Sequence, residues 1–374
     1  MKSFILSVVF FVFGLNSYAQ SIMDTSTKLN YKTYYKKQEI ADSLIFIASN
    51  YKDGFFIYKS LFNEFDFVWM EDCLRVFQVA LIVKDAEMAM FSIKKAIENG
   101  LEIDKISLLN LGCQCNYYKD CHKSIHIMDT FMQLHQNELK QYYAKVRPIY
   151  LQKIDKEVLK QIVFNHVEDE LFKCDKNVMK HFNINFQQKW KEVLNKNYNL
   201  IDSFFKNNYF IGSKNLGYYS EKLMEELELD SFSVQNQKNN YYNQYDMKED
   251  ELGRGYPLIP TFSESEYFLG SPLYITFYHD IDHFQKLLKN YLNPLIELGF
   301  LHPREYVFLA VKANKLHINP CIQPSEFEKF NEAKMTNLIR QKYYLPKIEI
   351  DIAKHKFAHN HKIQLFFGFL STTR

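Results

Sequence analysis

Glycine and proline are scarce, at 11 and 9 among 374 residues. Collagen-like and low-complexity chains are excluded by that scarcity, since these two residues dominate their compositions. No glycine-rich segment opens a helix after a strand pattern, so neither a phosphate-cradling loop nor a dinucleotide fingerprint can be placed, and no strand-turn-helix serine elbow is found. The "GRGYP" at 253–257 is a glycine turn beside a proline, with nothing around it that would make an anion site. An excess of one charge is missing as well. Lys and Arg number 46 against 44 Asp and Glu, a formal +2, and the signs are interspersed, which leaves no basic footprint for nucleic acid. Beyond residue 20 there is no run of eighteen or more apolar residues, so no transmembrane segment is expected once a leader is removed. The longest late candidate, "IQLFFGFL" at 363–370, is interrupted by Gln364 and reads as a buried strand or core segment.

What is present begins at the N-terminus. "MKSFILSVVFFVFGLNSYAQ" carries Lys2, an apolar run from Phe4 to Leu15, and small residues at Ser17 and Ala19. That order predicts a secretory signal peptide over 1–19, cut after Ala19. Its apolar run is too short to span a bilayer, which takes about 20 residues. The mature chain is expected beyond the inner membrane of a bacterium, in the periplasm or outside the cell. The composition, 47% hydrophobic and 24% charged, is that of a globular protein. Its 33 Phe and 26 Tyr read as the compositional bias of an AT-rich genome.

A weak internal repeat organises the first hundred residues. "NYKDGFFIYKSLFNEF" and "KDAEMAMFSIKKAIENG" superpose at an offset of 35 residues, with Gly54 on Ala89, Tyr58 on Ile93 and Leu61 on Ala96. A small residue, a bulky one four later and an apolar one three after that is the pattern by which the second helix of a tetratricopeptide hairpin lets the first lie close. An apolar-periodic helix precedes each copy, the second with Cys73, Val76, Phe77 and Ala80 on one face. Two repeats cannot bury a continuous core alone, so they are expected to pack on helices later in the chain. From about 120 to 206 the chain again reads as long helices, with Pro148 marking a kink or break. A polar stretch over 230–257 reads as a loop or linker, and helix resumes after it, with Gly299 as a stop. The expected fold is mainly α, with tetratricopeptide-like hairpins over 30–105, a helical region over 106–229 and a larger irregular helical domain over 258–374.

"YFIGSKNLG" at 209–217, "LNPLIELGFLHPREYVFLAVK" at 292–312 and "NLIRQKYYLPKIEI" at 337–350 together resemble a family of exported bacterial proteins of unknown function. In that family a helical, often tetratricopeptide-like part precedes a helical C-terminal domain. The likeness spans about 170–350, with 40–100 for the repeats. Gly212 and Gly217 hold the family's glycine turn, with Ile211 in place of its proline, and His279 falls at its helix histidine. Tyr306 and Leu309 match "Tyr-Ala-x-Leu-x-Asp-Arg", but Val311 and Lys312 replace the acid–arginine pair, and Gln323 is followed by Pro324 and Ser325 where a Tyr-Gly-Thr turn belongs. Asn337, Arg340 and Leu345 echo the closing "Asn-x-Arg-Arg-x-x-x-Gly-Leu". The resemblance implies an exported, two-part helical protein, and the lost ion pair implies a non-catalytic relative if the family contains enzymes.

Three clusters carry ligand-type residues. "CQCNYYKDCHKSIH" at 113–126 brings together Cys113, Cys115, Cys121, His122 and His126. Structural zinc sites pair two ligands across two residues and add a second knuckle; here the first pair is separated by one residue and no second knuckle exists. Unpaired, packed thiols are the favoured reading, and a disulfide from Cys121 to Cys113 or Cys115 the next, worth about 2 kcal/mol for so short a loop. Chelation at this cluster would need Cys73, Cys174 or Cys321 to arrive from elsewhere in the chain. "HDIDH" places His279 and His283 one turn apart on a helix, with Asp282 beside them, which is the spacing of a zinc-binding helix without the glutamate base of a metalloprotease. "HKFAHNH" repeats the four-residue step with His355 and His359, followed by His361. Polar histidines on a solvated helix account for both. The expectation is therefore a non-enzymatic binding or scaffold protein with a protein or peptide partner and no cofactor or metal. The alternative is a metal-dependent hydrolase centred on His279, Asp282 and His283.

Overall fold

The computed structural model describes residues 30–104, 122–174, 186–233, 280–312 and 333–361, with 236, 237, 240, 363 and 365. The expected signal peptide, Cys113, Cys115, Cys121, His279, Cys321 and most of the polar stretch lie outside these residues. Within them every regular element is helical, and the chain is mainly α. No helix among the described residues is long and apolar enough to cross a membrane.

Side-chain caps set the first helices. α1 (Tyr31–Asp42) starts at Asn30, whose side chain accepts the Lys32 N–H at 2.8 Å, and runs on through a π-helical turn at Ser43–Ile47. α2 (Tyr51–Glu64) is capped by Asn50 and α4 (Ala86–Glu98) by Asp85, each accepting a backbone N–H that would otherwise be orphaned. α1 packs on α2, and α3 (Met70–Ile82) on α4. Gly54 explains how closely α2 approaches: a Cβ there would stand 2.4 Å from Ile45 and 3.1 Å from the Ala41 carbonyl. Cys73, Val76, Phe77 and Ala80 are buried as the periodicity predicts, but so is the whole of α3 from Met70 to Leu81. α3 is thus a central helix whose Glu71, Asp72, Arg75 and Gln78 lie inside the protein.

α5 (His122–Leu151) packs on α3 and α4. It continues through Pro148 and ends at Leu151, so the proline stands in the last turn without breaking the helix earlier. α6 (Lys156–Cys174) and α7 (Phe186–Lys206) pair side by side, with Lys196 2.6 Å from Glu168. The single turn α8 (Ser213–Leu216) comes next, then α9 (Glu221–Glu226). Gly212 before α8 lies against the Phe300 carbonyl, and Gly217 after it has φ +72 beside the Tyr150 ring, so the two glycines of the turn have separate tasks.

The chain then returns to its start. α10 (Ile281–Glu297) packs on both α7 and α1, and ends at Gly299, whose φ of +78 and contact with the Tyr31 ring exclude a side chain. α11 (Pro303–Lys312) and α12 (Ala333–Lys342) lead to α13 (Ile348–His361), which packs on the π-helical turn of α1 and on α12. One continuous hydrophobic cluster runs from Tyr31 to Leu365, so the N-terminal hairpins and the C-terminal helices share a core. Ile363 and Leu365 belong to it, as a core segment.

A Cβ added at Gly212 would stand 1.9 Å from the Phe300 oxygen, which is backbone and cannot rotate away. Gly212→Ala is expected to lower stability by about 1–3 kcal/mol. The shift in urea midpoint measures it, and an unchanged midpoint would refute the close approach.

Candidate functional site

His283 is the member of the sequence-derived triad whose side chain can be placed. Asp280 is the N-cap of α10: its side chain accepts the His283 N–H, and its Oδ2 lies 2.8 Å from His283 Nδ1. The helix therefore begins at Ile281, and Asp280 is the acid that meets His283. Asp282 lies in the first turn of the helix, and His279 precedes the cap, outside the described residues. The imidazole stacks on Tyr198 of α7 at 4.6 Å between ring centroids. Burial raises the Asp280 carboxyl above its ordinary value; His283 opposes this, and Asp169 of α6 adds to it. Asp169 in turn accepts the Trp190 Nε1–H at 2.9 Å. Asn197 of α7 is buried, and neither of its amide atoms has a hydrogen-bond partner among the described residues. Among the described residues no three His, Cys, Asp or Glu side chains stand together as metal ligands.

The other candidates are dispersed. His355 is buried and held near 4 by that burial, whereas His359 and His361 are exposed, so the solvated-helix reading fails for His355 alone. Cys73 is a free thiol within the core, pushed up by burial.

The largest concentration of ionisable groups is one that sequence spacing did not single out. It lies where α1, α2 and α3 meet α11, α12 and α13. Lys354 Nζ stands 2.5 Å from Asp42, and Arg75 is 2.8 Å from Asp72 and 3.7 Å from Asp42. Tyr58 donates to Asp42 at 2.5 Å and Tyr34 to Asp72 at 2.8 Å. Asp351 receives Arg304 at 2.7 Å, pairs with Arg340, and lies 3.8 Å from Lys354. Arg340 also donates Nε–H to the Pro346 carbonyl at 2.8 Å.

Burial alone would push the Asp351 carboxyl up, but Arg304, Arg340 and Lys354 outweigh it and hold it well below the carboxylate range. Asp72 is lowered in the same way, chiefly by Arg75 working against burial. Lys354 goes the other way: burial brings it down to about 8, with Asp42 resisting. At the edge of the network His302 is brought down to about 3 by burial, so it is a neutral imidazole at physiological pH. Arg304 is the residue after Pro303 in the resembling segment and Arg340 belongs to its closing motif, while "EDCLR" sets Asp72 and Arg75 one turn apart. Those were the available signals. Chemically the network is a closed set of paired charges, suited to holding helices together.

Removing one carboxylate should expose how tightly the set is balanced. Asp351→Ala leaves Arg304 and Arg340 buried without their acid and is expected to cost about 3–5 kcal/mol. Chemical denaturation measures this, and a loss under about 1 kcal/mol would mean that the pair is no better than a surface bridge.

Compared with protein-family models, with curated proteins and with solved structures, the chain matches none, so its site is read from its own residues.

Proposed function

We propose that the chain is an exported, non-enzymatic protein in which tetratricopeptide-like hairpins hold a protein or peptide partner beyond the inner membrane. The observation that carries this reading is the common packing register of two successive hairpins. Gly54 and Ala89, Tyr58 and Ile93, and Leu61 and Ala96 are all buried at corresponding places on α2 and α4. Stacked helical hairpins of this kind present extended faces on which peptides and helices dock. On the first hairpin Ile40, Ile47 and Phe56 are exposed apolar side chains, Phe56 at 73%. Export is supported by the charged, apolar and small-residue order of 1–19.

The family resemblance gains support from Tyr344. It stands where the closing motif has glycine, and it adopts φ +59, a conformation glycine takes without strain. Arg340 and Asn337 of the same motif are both engaged, Arg340 with Asp351 and Asn337 accepting the Ile348 N–H at 2.8 Å.

A second reading, a metal-assisted hydrolase, is favoured by one feature, the Asp280–His283 pair. The two separate by experiment. Full-length protein expressed in a diderm bacterium should be recovered outside the cytoplasm with its N-terminus at Gln20. Photo-crosslinking groups at Ile40, Ile47 and Phe56 should each give a discrete adduct with a second protein. An uncut, cytoplasmic chain, or no adduct from any of the three, refutes the proposal. One transition metal per chain that disappears in His283→Ala would favour the hydrolase reading instead and call for a substrate search.

A further inference from the structure

Two carboxyl groups at the meeting of the N-terminal hairpins and the C-terminal helices have no counterion among the described residues. Glu71, in the first turn of α3, and Glu305, in the first turn of α11, are each 5% exposed, and neither forms an ion pair there. Their hydrogen bonds come from neutral donors. The Tyr218 hydroxyl donates to Glu71 at 3.1 Å, and the His302 N–H donates to Glu305 at 3.0 Å. Among the described residues the cations of the adjoining network are already committed: Arg75 to Asp72 and Asp42, Lys354 to Asp42, and Arg304 and Arg340 to Asp351.

The space between them is filled by rings. His302 stands edge-on to Trp69 at 5.1 Å and to Tyr35 at 5.9 Å, and Trp69 Nε1–H donates to the Tyr35 hydroxyl at 3.2 Å. Because His302 Nδ1 accepts the Arg304 N–H at 3.1 Å, the imidazole proton sits on Nε2, which has no hydrogen-bond partner among the described residues. An ionised carboxylate would thus be enclosed by aromatic edges, with anionic Asp72 nearby. A buried charge so placed is costly unless paired.

We propose that this junction is a proton-operated joint: Glu71 and Glu305 hold the C-terminal helices on the N-terminal hairpins while they carry protons, and their ionisation loosens that contact. The device is independent of which partner the hairpins hold. Burial raises Glu71 to about 8, with Glu305 and Asp72 adding to it against the helix amide and Tyr218, and raises Glu305 to about 7 against the His302 N–H. Groups with raised values favour the closed joint at low pH and lose that effect as pH climbs through them.

The other facing groups leave a defined window. His302 and His355, lowered to about 3 and about 4 by burial, work in the opposite sense, but only below their ordinary 6.5. Lys354, lowered to about 8, strengthens the closed form again from there upward. Asp72 and Asp351 are lowered, Arg75 is raised, and Tyr34, Tyr35, Tyr58 and Tyr218 are pushed well above 10, so none of these changes charge near neutrality. The carboxyls therefore dominate between about pH 6.5 and 8.

Hydrogen exchange of the full chain tests the joint. In α11 and α13, exchange corrected for its intrinsic base-catalysed rate should rise by about one to two orders of magnitude between pH 6.5 and 8, while α4 changes little. Trp69 emission in a Trp190→Phe background should shift over the same interval. In Glu71→Gln with Glu305→Gln both responses should vanish, and each single variant should have a smaller slope than the wild type, Glu71→Gln the smaller of the two. The single variants decide the matter if the double variant does not fold. A wild-type response that is flat across the window, or an equal slope in the glutamine variants, overturns the proposal.

Discussion

The ion pair between Asp42 and Lys354 is the constraint on which the architecture turns. It joins the end of α1 to the middle of α13, both side chains are about 1% exposed, and neither charge could stay buried without the other. Each partner is held by further groups: Asp42 by Tyr58 and Arg75, Lys354 by proximity to Asp351, and Asp351 by two arginines. Five helices are thus fixed by a set of charges in which every member offsets the desolvation of another, and Tyr58 ties α2 to it. Hydrophobic contacts around it are plentiful but tolerant of exchange, whereas a charge without its counterpart is not. Specificity of helix arrangement is the natural result.

Tyrosine makes this arrangement workable. Hydroxyls of Tyr34, Tyr58 and Tyr218 reach the buried carboxyls of Asp72, Asp42 and Glu71, while their rings belong to the same core cluster. Tyr209 does the same for Asp155, and Tyr143 for Glu226. A side chain that is apolar along its length and a donor at its tip can satisfy an acid without adding a charge to the interior. The tyrosine content that composition alone assigned to an AT-rich genome therefore has a structural use.

The helices were legible because their signals are local. Asn30, Asn50 and Asp85 precede apolar periodicity, and Gly299 follows it, so both starts and stops could be read. The packing register of α2 and α4 was visible for the same reason. The buried charges were not, because α3 carries "EDCLR" at a spacing that also suits a solvated face; Tyr34, Tyr58 and Tyr218, from elsewhere in the chain, meet that face and make it internal. His283 was found by its spacing to His279, yet its observed partner is Asp280, since a carboxylate at the N-cap competes for the same imidazole. Glu71 and Glu305 carry no sequence signal at all: what distinguishes them is the lack of a counterion among the described residues, which only the assembled protein reveals.

The return of α13 to α1 also has a meaning in time. Lys347 N–H is accepted by Glu39 across 308 residues of chain, and Lys354 emerges later still. During synthesis the first hairpins are complete long before α13, and until then Asp42 has Tyr58 and Arg75 beside it but not Lys354. Contacts so far apart are made last and slowly. A chain shortened anywhere before α13 would keep its hairpins but lack the cation that lets them close. Closure of the shared core therefore waits on α13.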